Sequence, residues 1–236
     1  MRISIFFAVL LSLAGGAACA EPAKPLPPPR YDPAPTVQKT QKIVVAGGCF
    51  WGVQGVFQHV KGVTRVVSGY AGGDKLTAHY LRVGMGDTGH AESVEITYDP
   101  EQVSLGALLQ VYFSVAHDPT QLNRQGPDTG SQYRSAIFVS DATQAKVARE
   151  YIAQLQSSKA FVSPIVTRIE PLTRFYPAEP YHQDYLIHHP DEPYILFNDL
   201  PKIEALKVTY PGLWRDTPVA SAQGGATGKA RGASGQ

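Results

Sequence analysis

Cysteine is almost missing from this 236-residue chain, which has only Cys19 and Cys49. Methionine and tryptophan are equally scarce, at two each. An excess of either charge is lacking too, since 21 Lys and Arg against 20 Asp and Glu leave a formal net charge of +1. That balance supplies no electrostatic reason to bind nucleic acid or an anionic membrane. Residues 3–13 are apolar but short and broken by serines. A membrane-spanning helix needs roughly 20 apolar residues, so this run does not qualify as one. Two cysteines cannot form a disulfide framework, and stability has to come from packing.

What is present at the start fits an export signal. Arg2 provides a positive n-region, residues 3–13 an apolar h-region, and Ala18-Cys19-Ala20 a small-x-small cleavage site before Glu21. Residues 1–20 are therefore expected to be a cleaved signal peptide, which makes the mature protein periplasmic or secreted. The alternative is a lipoprotein anchored through Cys19. Against it, Gly16-Ala17-Ala18 lacks the large aliphatic residue usual three positions before a lipidated cysteine. After cleavage Cys49 stands alone: it is either an idle buried residue or a thiol that exchanges with a partner.

Residues 21–40 hold seven prolines and read as an extended linker. Residues 215–236 are mostly Gly, Ala, Ser and Thr and read as a disordered polar tail. Between them, residues 41–214 are long enough for one ordinary core. Strands are predicted at 42–46, 63–70, 92–98, 135–140 and 165–170 from apolar runs and period-2 alternation, as in Val94, Ile96 and Tyr98. Helices are predicted at 49–60, after Ser104, and after the cap Asp141, the last with Ala145, Ala148, Ile152 and Leu155 inward. Interleaved strands and helices predict a single α+β domain with helices on one face of a mixed sheet.

Two clusters carry chemistry. In Gly47-Gly48-Cys49-Phe50-Trp51-Gly52 the glycines turn the chain off a strand and leave Cys49 at a helix start. There the unpaired N–H groups favour an anion and are expected to lower the thiol pKa. Phe50 and Trp51 would line an apolar pocket beside the sulfur. Gly86-Asp87-Thr88-Gly89-His90-Ala91-Glu92 delivers a carboxyl group at the start of a strand. In an apolar site its pKa rises, so it could serve as a general acid. Tyr80 and Tyr133 offer phenolic donors, and Asp128 lies in a Gly- and Pro-rich turn. Each of these has an ordinary structural reading as well. His182, His188 and His189 complete no metal-ligand spacing, and His182 is expected to order the segment around Tyr181 and Gln183.

Together with His117-Asp118-Pro119, Gln132-Tyr133-Arg134-Ser135, Phe175-Tyr176-Pro177-Ala178-Glu179 and Tyr181-His182-Gln183, these motifs resemble the A-type peptide methionine sulfoxide reductases. The resemblance covers about residues 42–189. It implies a two-layer α/β sandwich with a ferredoxin-like core and reduction of methionine-S-sulfoxide, protein-bound and free. It also implies roles: Cys49 as nucleophile, Glu92 as proton donor, Tyr80 and Tyr133 as donors to the sulfoxide oxygen, Asp128 in support through solvent, and Phe50 and Trp51 around the ε-methyl group. The chain departs from many members in having no further cysteine after Cys49. It therefore needs no cofactor but an external thiol reductant: glutathione, a glutaredoxin or a thioredoxin-fold protein. The expected enzyme is a monomer that repairs oxidised exported proteins. A one-cysteine thiol peroxidase and a non-catalytic binding domain with a structural cysteine remain as alternatives.

Overall fold

The computed structural model describes residues 25–34 and 39–221. The expected signal peptide, residues 21–24 and 35–38 of the linker, and residues 222–236 of the tail lie outside the described residues. The chain runs β1 (Gln41–Ala46), α1 (Phe50–Gln58), β2 (Val63–Ala71), α2 (Tyr80–Val83), β3 (Ala91–Tyr98) and α3 (Leu105–Val111). It continues with the two short strands β4 (Arg124–Gln125) and β5 (Asp128–Thr129), then β6 (Ala136–Val139), α4 (Ala142–Ser157) and β7 (Arg168–Pro171). The last elements are β8 (Phe175–Pro177), α5 (Tyr185–His188) and α6 (Leu200–Thr209). Six strands form one sheet in the order β7-β6-β1-β3-β2-β8, with β6 and β7 parallel and every other pair antiparallel.

Alternation along the strands sorts the sheet into two unequal faces. Ile43 and Val45 of β1 and Val94, Ile96 and Tyr98 of β3 join the main core, together with the buried residues of α1, α3, α4 and α6. Val44, Ala46, Ala91, Ala136 and Phe138 form a small cluster on the opposite face, roofed by Leu172 and Phe175. All four longer helices thus share one face, giving an α/β sandwich of two layers. Among the described residues no helix is long and apolar enough to cross a membrane.

The predicted caps are in place. Ser104 Oγ accepts the Ala107 N–H at 3.0 Å, and Asp141 Oδ1 accepts the Gln144 N–H at 2.8 Å, each worth roughly 1 kcal/mol over alanine. The buried face of α4 is rotated from expectation: Val147, Ala148, Tyr151 and Leu155 are buried with Gln144, while Ala145 and Ile152 are only half-buried. Polar tips explain the difference. The Tyr151 hydroxyl donates to Pro27 O at 2.9 Å and Gln144 Nε2 to Lys42 O at 2.7 Å, so both can be buried with their hydrogen bonds made.

Residues on either side of the expected domain pack against it. Residues 25–34 are docked rather than a free spacer: Leu26 is buried, Gln154 Nε2 donates to Pro28 O, and Gly106 N–H donates to Asp32 Oδ1. The start of the expected tail is ordered as well. Arg215 and Val219 N–H groups donate to His59 O and Gln58 O, the carbonyls that end α1. Ser221 then gives its N–H and hydroxyl to the buried Asp184 carboxylate, which also accepts from Gln58 Nε2 at 2.6 Å. Peptide groups that satisfy helix-end carbonyls and a buried charge hold a segment that has little apolar surface of its own.

Candidate active site

Cys49 is the residue that caps α1, placed by the turn off β1. Gly48 makes that turn with φ of 91°, and a Cβ there would stand 2.6 Å from the Gln125 side chain. Only glycine satisfies both conditions. One turn into α1, Gly52 permits an equally close approach: an added Cβ would meet Asp199 Oδ1 at 2.0 Å. Asp199 is fully buried, paired with Lys202 Nζ at 3.0 Å through Oδ1.

Glu92 reaches the same place from β3. It lies on the helical face with Val94 and Ile96 and pairs in register with Tyr70 of β2. Its side chain is 3% exposed, and Oε2 accepts the N–H of Phe50, the residue after Cys49, at 3.1 Å. Burial pushes the Glu92 carboxyl up to about 8, opposed by that hydrogen bond and reinforced by Asp128. At neutral pH the group is a neutral acid.

The thiol does not follow the sequence expectation. Burial pushes Cys49 well above the usual thiol range, and the facing carboxylates Glu92 and Asp199 push it further; the Trp51 N–H opposes this. The physical reason is one of magnitude. A helix N-terminus is worth about 0.3–1 kcal/mol, whereas complete burial moves a pKa by up to about 3–5 units. In the resting site both Cys49 and Glu92 hold their protons.

The remaining expected residues surround this pair. Tyr133, at the end of the turn Ser131–Tyr133, is raised by burial and by facing Glu92, Asp128, Cys49 and Tyr80. Tyr80, the first residue of α2, is raised by burial, then by Glu92 and Cys49. Asp128, on β5, accepts the Tyr194 hydroxyl. Phe50 is buried with its ring 5.9 Å from Tyr70 and 6.5 Å from Trp51. All seven positions singled out in the sequence therefore belong to one cluster.

Trp51 is the half-buried wall of that cluster, and what holds it was not read from the sequence. Tyr185 stacks on the indole at 3.8 Å and 8°, and Tyr194 meets it edge-on at 6.0 Å. The indole N–H donates to His182 Nδ1 at 3.2 Å. His182 is thus a partner of Trp51 as well as part of its own segment, and burial holds its pKa below the usual value. Tyr181-His182-Gln183 was a visible motif; Tyr194 carried no local signal. A recess of about 510 Å³ between residues 32–34, α3 and α4 is lined by no cysteine, histidine or tyrosine and lies apart from this cluster. Among the described residues no group of three or more His, Cys, Asp or Glu could hold a metal ion.

A buried neutral acid beside a protonated thiol, walled by aromatics, suits attack by sulfur on a polar centre whose leaving oxygen must be protonated. Comparisons with known proteins agree. Residues 41–211 match the family model of the peptide methionine sulfoxide reductases. The chain is 61% identical to peptide methionine sulfoxide reductase MsrA 2 of Mesorhizobium japonicum over 180 residues, 76% of this chain and 92% of that one. It is 50% identical to the MsrA 2 of Synechocystis sp. over 204 residues, 85% and 95% of the two chains. Among solved structures, reduced Mxr1 from Saccharomyces cerevisiae aligns with a TM-score of 0.58 at 36% identity, covering 69% of this chain and 91% of that one. Methionine sulfoxide reductase A of Corynebacterium diphtheriae aligns at 0.55 and 33%, covering 72% and 87%. The chain belongs to the peptide methionine sulfoxide reductase family, as an A-type oxidoreductase that returns methionine (S)-sulfoxide to methionine.

Proposed function

We propose that turnover runs through a sulfenic acid on Cys49 that a separate thiol must reduce. The observation that carries this reading is the buried Glu92 carboxyl, held neutral and bonded to the N–H next to Cys49. The sulfoxide enters with its methyl group against Phe50 and Trp51 and its oxygen toward Glu92, Tyr80 and Tyr133. Cys49 sulfur attacks the sulfoxide sulfur as Glu92 protonates the oxygen, and the thiol proton replaces the one Glu92 gave. The oxygen ends on Cys49, methionine leaves, and the balance is sulfoxide plus thiol to thioether plus sulfenic acid. Asp128, tied to Tyr194, supports the phenols through solvent.

Recycling takes two equivalents of external thiol. The first displaces water from the sulfenic acid to form a mixed disulfide, and the second releases Cys49 and a disulfide. No cysteine follows Cys49 in the chain to do this internally. Glutathione, a glutaredoxin or a thioredoxin-fold protein would each satisfy the chemistry. The signal-like residues 1–20 support work outside the cytoplasm on oxidised exported proteins. The aromatic wall of Phe50 and Trp51 and the buried acid Glu92 beside Cys49 favour sulfoxide reduction over the peroxidase alternative.

The test is a stereospecific turnover assay with glutathione, glutaredoxin and thioredoxin in parallel, joined to mass spectrometry of Cys49 after one turnover without thiol. A single added oxygen trapped on Cys49, and reduction of the S epimer alone, are expected. Sustained turnover with no thiol present would overturn the reading. Mass spectrometry of the mature protein also tests the location: its N-terminus should be Glu21.

A further inference from the structure

Tyr80 stands on a slight support. It opens α2, a helix of four residues in which Val83 is the buried member, and Leu76 and Leu81 on either side are 85% and 82% exposed. His79, the residue that precedes the helix, makes no side-chain cap. A helix start without a cap leaves N–H groups unpaired and its first residue free to fray.

The missing cap comes from a distant part of the chain. Glu179 Oε1 accepts the Tyr80 N–H at 2.9 Å. Its other oxygen, Oε2, accepts the Tyr70 hydroxyl at 2.9 Å. Tyr70 is fully buried, packs its ring on Phe50, and is the register partner of Glu92. The backbone beside Glu179 is anchored to the same strand: Tyr176 pairs with Tyr70 and Ala178 N–H donates to Ser68 O at 2.9 Å. One carboxylate therefore joins a phenol that faces Glu92, and whose ring lies 4.3 Å from His182, to the rigid strand pair that carries Glu92. Burial raises the Glu179 carboxyl, but the hydrogen bonds from Tyr80 N–H, its own N–H and Tyr70 outweigh it and hold the group below its ordinary value, ionised and accepting at both oxygens.

We propose that Glu179 is a positioning residue for sulfoxide reduction: by accepting from the Tyr80 N–H and the Tyr70 hydroxyl together, it fixes where the Tyr80 phenol stands relative to Glu92 and Cys49. The inference rests on the reading of Tyr80 as a donor to the sulfoxide oxygen. Displacement of a catalytic donor by about 1 Å can cost on the order of 100-fold in rate, which sets the size of the effect.

The experiment is a double-mutant cycle on the full chain with methionine (S)-sulfoxide and a saturating thiol reductant. Glu179→Gln offers one carbonyl oxygen to two donors and turns an N–H₂ toward the other, so the variant is expected to lose about 10- to 100-fold in kcat with little change in KM. Tyr80→Phe is expected to lose a similar factor, and Glu179→Gln in the Tyr80→Phe background to lose less than about 3-fold more. Tyr70→Phe, which leaves the Tyr80 N–H bond in place and releases one oxygen of Glu179, should give a smaller loss that also vanishes with Tyr80→Phe; it serves as the readout if Glu179→Gln does not fold. Independent, multiplying losses would show Glu179 to be only structural and overturn the proposal. So would full activity of Glu179→Gln beside an impaired Tyr80→Phe. Full activity of Tyr80→Phe beside an impaired Glu179→Gln would overturn it as well, and would separately remove Tyr80 from the proposed mechanism.

Discussion

Replacing Glu92 by Gln should make the protein more stable as it makes the enzyme inactive, and the gain should depend on pH. In the folded state the carboxyl is pushed from 4.5 to about 8 by burial. The folded protein therefore keeps a proton that the unfolded chain releases once the pH exceeds about 4.5, and wild-type stability falls as pH rises through the interval up to about 8. At 1.36 kcal/mol per unit, the destabilisation is about 1 kcal/mol at pH 5, about 3 at pH 7 and about 4–5 at pH 8.5. Glutamine cannot ionise, yet its carbonyl can still accept the Phe50 N–H that Glu92 accepts at 3.1 Å. Any constant cost of burying the amide shifts both ends of the pH range equally. Urea unfolding of the two proteins at pH 5, 7 and 8.5 isolates the slope: Glu92→Gln should gain about 3–4 kcal/mol on wild type across the range. A difference that stays flat with pH, or one that grows in favour of wild type, would refute the claim that Glu92 is held neutral.

Cys49→Ser should abolish turnover while leaving the unfolding midpoint close to wild type, checked by activity and thermal melts together. Alkylation of native Cys49 by iodoacetamide should be slow at pH 7 and accelerate only in alkaline solution, since burial and facing carboxylates raise the thiol; Glu92→Gln, by removing one of those carboxylates, should shift the onset to lower pH. Gly48→Ala must hold alanine at φ of 91° with its Cβ against Gln125, and a loss of about 2–4 kcal/mol is expected in chemical denaturation. Truncation after residue 213 removes the Ser221 donors from the buried Asp184 and should cost about 2–4 kcal/mol.

Much of the site was legible because its two central groups sit where local patterns point. Gly47-Gly48 before an apolar helix pattern marks Cys49, and the alternation of Val94 and Ile96 puts Glu92 on the same side of the sheet. The direction of the thiol shift was not legible. A helix start is visible in sequence, but the depth of burial and the carboxylate of Asp199, delivered by the far end of the chain, are not. The clamp on Trp51 was hidden for a similar reason: Tyr185 and Tyr194 are two of 12 tyrosines, and only folding stacks them on the indole. The packing of residues 25–34 and 215–221 on the domain was not legible, because it rests on isolated side chains such as Leu26 and Asp32 and on backbone groups, which composition does not reveal. β8 was read as a motif and not as a strand, since three residues ending in proline make a short edge.

The helix that presents Cys49 has consequences for folding. α1 is nine residues long, carries Gly52 and Gly55, and includes Val53 and Val56. A segment so short and so poor in helix formers does not hold helical structure in isolation. It is held as a helix by burying Phe50, Val53, Val56 and Phe57 in the core against the sheet, and Asp199, Leu186 and Ile203 close over its glycine face. The nucleophile's pedestal is therefore completed by the last third of the chain. Until then Cys49 is an ordinary exposed thiol, titrating in the ordinary range, and an emerging chain is more open to adventitious oxidation than the finished enzyme. Thiol reactivity, high while the chain is open and low once it has closed, is a built-in reporter of when this protein has finished folding.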